Sequence, residues 1–215
     1  MHLHNQCRAL IVTAMNTRVQ QRETTRASIL QAALEEFSEK GFDGTSTRLI
    51  AAKAGVHHAL IKYHFQSKDA LWKAAVTFLF ERQIREVGGP VFQPGDDPRQ
   101  YARDVLRHRA LYWARHPEHA RLMVQESCRD TEQFRWMVDQ FVVQTSQFTE
   151  RFIRLLQAEG VLPDVSVPSL AYILAGASQL FFTLAPEVRR VWGVDPMDPQ
   201  AVEDHIDALV RVLLR

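Results

Sequence analysis

The stretch that most constrains this chain is Gly44–Leu71, GTSTRLIAAKAGVHHALIKYHFQSKDAL, which reads as two short helices joined by a tight turn with a third helix starting behind them. Thr45, Ser46 and Thr47 are N-cap residue types set just before the apolar group Leu49, Ile50, Ala51 and Ala52, so a helix is expected to begin near Ser46 or Thr47. Gly55 ends it, because glycine accepts the left-handed backbone from which the chain swings into the next helix. Val56 is placed to plug the angle between the two. From His57 to His64 the donors and aromatics His57, His58, Lys62, Tyr63 and His64 are interleaved with Leu60, Ile61 and, just beyond, Phe65, which can turn inward. A helix about two turns long, polar outside and anchored inside, is the shape that enters a DNA major groove. Arg48, His58 and Lys62 are the candidates for base edges, with Ala59 set against a thymine methyl. Ser67 is a further N-cap type, followed by Lys68 and Asp69. Asp69 suits the positive end of a helix dipole and Lys68 does not, so Lys68 is expected to reach a phosphate instead.

This stretch, with the preceding Phe37-Ser38-Glu39-Lys40-Gly41-Phe42, resembles the N-terminal domain of TetR/AcrR-type transcriptional regulators. The matching pattern is a small-residue Thr/Ser start, then Ile50-Ala51, Ala54-Gly55-Val56, Tyr63-His64-Phe65 and Ser67-Lys68-Asp69-Ala70-Leu71. It runs continuously from Phe37 to Leu71, which makes it far more specific than a short motif. The resemblance implies that Thr47, Tyr63, His64 and Lys68 bind backbone phosphates, which hold register without reading sequence. In one place the chain departs from that pattern: His57 stands where a Ser or Thr usually caps the third helix. Histidine is a poorer cap, so His57 is expected to hydrogen-bond a phosphate instead.

Around this unit the sequence reads as helix throughout. Residues 1–20 lack clear periodicity and are expected to be a mobile or loosely helical extension. Arg22–Lys40 places Ile29, Leu30, Ala33, Leu34 and Phe37 at helical spacing, with Gly41 as its stop. Ser67 to about Val87 carries Leu71, Trp72, Ala75, Val76, Leu79 and Phe80 on one side, and the Gly/Pro-rich run from Val87 to Pro98 is a loop. Further helices are expected over Arg99–His116, Pro117–Ser127, Thr131–Ala158, Ser166–Leu184 and Pro199–Leu214. The expected fold class is all-α with about nine helices. The expected organisation is the extension 1–20, a three-helix helix-turn-helix DNA-binding domain over 21–72, and a helical ligand-binding and dimerisation domain over 73–215.

Charge points the same way only weakly. The whole chain is +1, but residues 1–72 hold nine Lys/Arg and five His against six acids, while the remainder is slightly acidic. Cys7 and Cys128 make no disulfide framework, and Leu10–Met15 is too short an apolar core for a signal peptide, so a cytoplasmic protein is expected. The apolar run Val165–Pro186 is broken by serines, Gln179 and prolines and reads as a buried helix with no membrane role.

In the C-terminal part Tyr112, Trp113, Met123, Phe141, Phe148 and Phe181 are candidates for an effector cavity, a feature the resemblance implies; their helical spacing fits plain core equally. Ala175 and Ser178, with Ile206, Leu209, Val210 and Leu213 of the last helix, are candidates for a homodimer contact of four helices, the alternative being close packing inside one chain. A dimer is favoured because one short helix covers too few base pairs, whereas two half-sites on a palindromic double-stranded operator suffice. No metal-ligand spacing, Gly-x-Ser-x-Gly elbow or Gly-rich phosphate loop is present. The expectation is a non-enzymatic, cofactor-free repressor released from its operator by a small-molecule effector. The rival is a helical adaptor whose basic head docks an acidic protein.

Overall fold

The structure is a computed structural model that describes residues 2–87 and 91–215, with side chains from residue 19 onward. It is all-helical and divides into two compact units, Met1–Val76 and Thr77–Arg215.

In the first unit α1 (His2–Gly44), α2 (Thr47–Lys53) and α3 (His58–Phe65) are followed by the start of α4 (Lys68–Val87). Residues 2–20 of the expected extension belong to α1, and the side chains through residue 18 lie outside the described residues. Ile29, Leu30, Ala33, Leu34 and Phe37 of α1 are fully buried with Ile50 and Ala51 of α2, Ile61 and Phe65 of α3, and Leu71, Trp72, Ala75 and Val76 of α4. Each large apolar side chain so buried contributes about 1.5–3 kcal/mol. Gly41, at φ 72° and ψ 175°, is the one non-helical residue inside α1. The turn it makes lets Phe42 fold back, its ring 6.1 Å from Phe37 and 6.3 Å from Trp72. Thr45 is buried, and its hydroxyl donates to the carbonyls of Glu36 at 3.0 Å and Gly41 at 2.8 Å. Of the three N-cap types it is therefore Ser46 that caps α2, accepting from the Leu49 amide at 3.2 Å, while Thr45 closes the end of α1.

The second unit continues with the rest of α4, then α5 (Pro98–Arg115), α6 (Pro117–Ser127), α7 (Glu132–Met137), a π turn at Val138–Val142, α8 (Val143–Ala158), α9 (Val167–Thr183), α10 (Ala185–Trp192) and α11 (Pro199–Leu213). Residues 88–90 of the expected loop lie outside the described residues. Asp97, Thr131, Ser166 and Asp198 each cap the helix that follows, and proline opens α5, α6 and α11, where its missing N–H costs nothing. Helix α9 is central, packed by α5, α6 and α8, while α11 covers α5.

Two expectations are corrected. Residues 131–158 are not one uniform α-helix: the π turn inserts a wider coil, and the Thr145 hydroxyl donates to the loosened carbonyls of Phe141 at 3.1 Å and Val142 at 3.0 Å. Residues 185–192, left between helices by the sequence reading, form α10, opened by Pro186 in its first turn and closed by Gly193 at φ 67°.

Candidate DNA-binding surface

The turn between α2 and α3 is built by Gly55 at φ 66°. A Cβ there would meet nothing within 4 Å, so the requirement is conformational and not steric. The Val56 amide then donates to the Ala51 carbonyl at 3.0 Å, closing the end of α2.

His57 begins α3, and its Nδ1 accepts from the Ala59 amide at 3.3 Å. The expectation that His57 would leave the cap for a phosphate is thus corrected: it caps its own helix. With Nδ1 taken up by the cap, Nε2 is the ring nitrogen left for an outside partner. Helix α3 is anchored by Ile61 and Phe65, whereas His58, Ala59, Lys62 and Tyr63 are exposed. Leu60, expected to turn inward, is exposed too, because only the Ile61 and Phe65 positions face the core, four residues apart on one side of the helix. Among the predicted base-reading residues Arg48, at the start of α2, is also exposed. Thr47 Oγ1 and His58 Nε2 lie 2.9 Å apart, so a predicted phosphate contact and a predicted base contact are hydrogen-bonded to each other across the two helices.

The α3–α4 turn runs through Gln66 at φ 65° and ψ −47°, with the Ser67 amide donating to the Phe65 carbonyl at 2.7 Å. That is a γ-turn of the strained kind, at a non-glycine residue. Ser67 then caps α4, its Oγ accepting from the Ala70 amide at 3.0 Å. The Lys68 ammonium sits 4.5 Å from the centre of the Phe42 ring and 3.5 Å from the Asp43 carbonyl.

Charge in this unit is sorted by pairing. Lys40 and Lys53 bind Glu36, Lys53 also binds Glu35, and Lys73 binds Asp69. Arg22, Arg26, Arg48, Lys62 and Lys68 have no ion pair among the described residues. The modest excess of positive charge is thereby delivered through α2, α3, the start of α4 and one segment of α1. Sequence reasoning missed Arg22 and Arg26; their four-residue spacing, which puts both on one face of α1, was the available signal. His64, the remaining predicted phosphate contact, is half-buried, and burial first, then Arg22 and Arg26, hold its pKa below the ordinary histidine value. A neutral imidazole at neutral pH donates one hydrogen bond.

The second unit departs further from expectation. Tyr112 and Trp113 lie in its core with Phe182, Val202, Ile206 and Leu209. The Tyr112 hydroxyl and His119 Nδ1 are 2.7 Å apart, burial pushes the phenol up to about 12, and burial with Arg82 takes the His119 pKa down to about 3. Beside them Arg82 and Glu118 form a buried ion pair of 2.7 Å. Met123 is half-buried on α6, and Phe141 stacks on Phe80 with centroids 4.7 Å apart. Phe148 is 69% exposed on α8 with the Arg151 guanidinium 4.8 Å over its ring, so it does not line an interior cavity. Phe181 alone of the six candidates lines the open apolar cleft of about 430 Å³ formed with Val188, Trp192, Val194, Ala201 and His205.

The predicted dimer residues are also corrected in large part. Ser178, Ile206, Leu209 and Val210 are buried within the chain itself, where Ser178 donates to the Leu174 carbonyl at 2.7 Å; Ala175 and Leu213 are half-buried. Helical geometry explains the error: the strongest apolar stripe of α11 serves the protomer's own core. On these last three helices the outward apolar side chains are Tyr172, Ile173 and Leu180 of α9, Val191 and Trp192 of α10, and Val212 of α11. No single helix among the described residues is long and apolar enough to cross a membrane.

Comparison with known proteins fits this geometry. Residues 29–75 match the model for bacterial regulatory proteins of the tetR family. The HTH-type transcriptional repressor NicS of Pseudomonas putida is 25% identical over 205 residues, covering 92% of this chain and 94% of that protein. The HTH-type transcriptional repressor Rv3405c of Mycobacterium tuberculosis is 47% identical over 64 residues, 30% of this chain and 34% of that protein. Among solved structures, AibR in complex with isovaleryl coenzyme A and operator DNA superposes with a TM-score of 0.67 at 19% identity, covering 88% of this chain and 97% of that one. With the helix-turn-helix, its exposed polar face and these likenesses in place, the chain is a DNA-binding transcriptional regulator whose residues 29–75 are a tetR-family domain.

Proposed function

We propose that the protein is a repressor that binds a palindromic operator as a homodimer and leaves it when a small-molecule effector occupies the second unit. The observation that carries the DNA half is α3 itself, with His58, Ala59 and Lys62 exposed while Ile61 and Phe65 hold it to the core. Arg48, His58, Ala59 and Lys62 read base edges; Thr47, His57, Tyr63, His64 and Lys68 hold phosphates. The exposed apolar side chains Ile173 and Leu180 of α9 and Val212 of α11 support a second copy as partner, in place of the residues that turned out to be core.

The effector half rests on likeness to AibR, whose structure contains both isovaleryl coenzyme A and operator DNA. Helix α4 begins in the reading unit and ends in the second, where Arg82 is held to Glu118 at the start of α6. An effector that favours one position of α6 over another would move α4 through that ion pair. The change requires only a difference in the effector's affinity for the two states. No catalysis and no resident cofactor enter this reading, and the protein acts in the cytoplasm.

The test is selection of duplexes from a random pool by the full chain. Enrichment of a palindrome with half-sites about one helical turn apart supports the reading. Equal retention of selected and random DNA overturns it in favour of an adaptor with a basic head.

A further inference from the structure

Resting on the DNA-binding reading, we propose that Arg22 and Arg26 of α1, with the Tyr63 hydroxyl at the end of α3, form a further phosphate-binding site that clamps the DNA backbone outside the reading helix. The two guanidiniums sit one helical turn apart on one face of α1 and lean on α3. Arg22 lies 5.6 Å from the centre of the Tyr63 ring and Arg26 5.5 Å from that of Phe65. Neither has an ion pair among the described residues, although Lys40, Lys53 and Lys73 of the same unit are all paired. Like charges at this spacing destabilise a helix by about 0.2–0.5 kcal/mol, so the pair costs stability until an anion arrives.

Around the two arginines the chain supplies donors. Tyr63 is 65% exposed, and its ring meets that of His64 edge-on at 5.1 Å. Glu23, on the same helix as the two arginines, is the carboxylate that acts on His64. Two planar guanidiniums, a phenol and an imidazole N–H on the side of the unit that carries α3 make an anion site of the chemistry that recognises phosphate. The ligand is the phosphodiester backbone and not a base, because the guanidiniums lie over aromatic rings at the C-terminal end of α3, beside the exposed reading positions. Helix α1 thereby becomes a DNA-binding element as well as a support.

The experiment compares the full-length protein with Arg22→Gln/Arg26→Gln and Arg22→Lys/Arg26→Lys on a duplex selected by the wild type and on its scrambled counterpart, across a salt series. The Gln double variant keeps the packing stems and is expected to lose about tenfold or more in affinity on both duplexes alike. Its salt dependence should flatten by about one in log–log slope per arginine removed per protomer. The Lys double variant should keep the slope. A Gln variant that folds with wild-type thermal stability and retains the wild-type slope overturns the clamp, as does one that loses affinity only on the selected duplex. If the wild type itself shows neither selection nor salt-dependent binding, the DNA-binding reading fails, a result distinct from failure of the clamp alone.

Discussion

Thr47 at the first position of α2 and His58 at the first position of α3 are joined by a 2.9 Å hydrogen bond, so the two helices of the reading unit are braced at the end where both present exposed side chains. Rigid presentation of a side chain to a base depends on such support. Thr47→Val and His58→Ala are each expected to broaden the base preference at the position proposed for His58. Measured by binding to single-base operator variants, their double-mutant cycle should show a coupling of about 0.5–1.5 kcal/mol. Additive effects would mean that the bond is not maintained on DNA.

In the proposed assignment Lys62 reads bases and Lys68 holds a phosphate. Lys62→Ala removes an exposed donor from the middle of α3 and should cost about 1–3 kcal/mol on the selected duplex, with relaxed specificity. Lys68→Ala removes the ammonium lodged over Phe42 and should weaken all duplexes alike, lowering the salt slope by about one. Gel-shift titrations on selected and scrambled DNA check both, and identical behaviour of the two variants would remove the assignment.

Two turns set the geometry of α3, and they respond oppositely to glycine chemistry. Gln66→Gly relieves a positive φ of 65° and should stabilise the protein by about 1 kcal/mol. Gly55→Ala puts a Cβ on a residue at φ 66° and should destabilise it by about 1–2 kcal/mol. Thermal melts decide between these signs.

His119 makes stability depend on pH. Buried in the native state its pKa is about 3, against an ordinary 6.5, so the unfolded chain binds the proton first. Stability is therefore fully present above pH 6.5 and falls as pH drops toward 3, by at most ~1.4 kcal/mol per unit. The lowered pKa values of His64 and His205 add in the same direction. Urea unfolding at a series of pH values should show a shallower slope between pH 6.5 and about 5 for His119→Asn than for the wild type. An unchanged slope would show that His119 is not neutral and buried.

Local signals made the reading unit legible before any coordinates. Glycine at a left-handed turn, hydroxyl residues at helix starts and apolar residues at helical spacing act over four residues or fewer, and they placed α2, the turn and α3 within a residue or so of where they stand. The same signals were present for α10, in Pro186, Glu187 and Gly193, but were outweighed by the apolar run before them.

What the sequence determined by itself was the all-helical class and the polarity of α3, because both follow from periodicity along a single element. Which apolar stripe faces a neighbour in the same chain was decided only by tertiary packing. Ile206, Leu209 and Val210 are as apolar as Val212, yet they fill the core while Val212 stands exposed, since burial depends on the angle at which α11 meets α5. Charge followed the same rule. Lys53 and Lys62 are the same residue type nine positions apart, and only folding gives the first two carboxylates and leaves the second free to meet DNA.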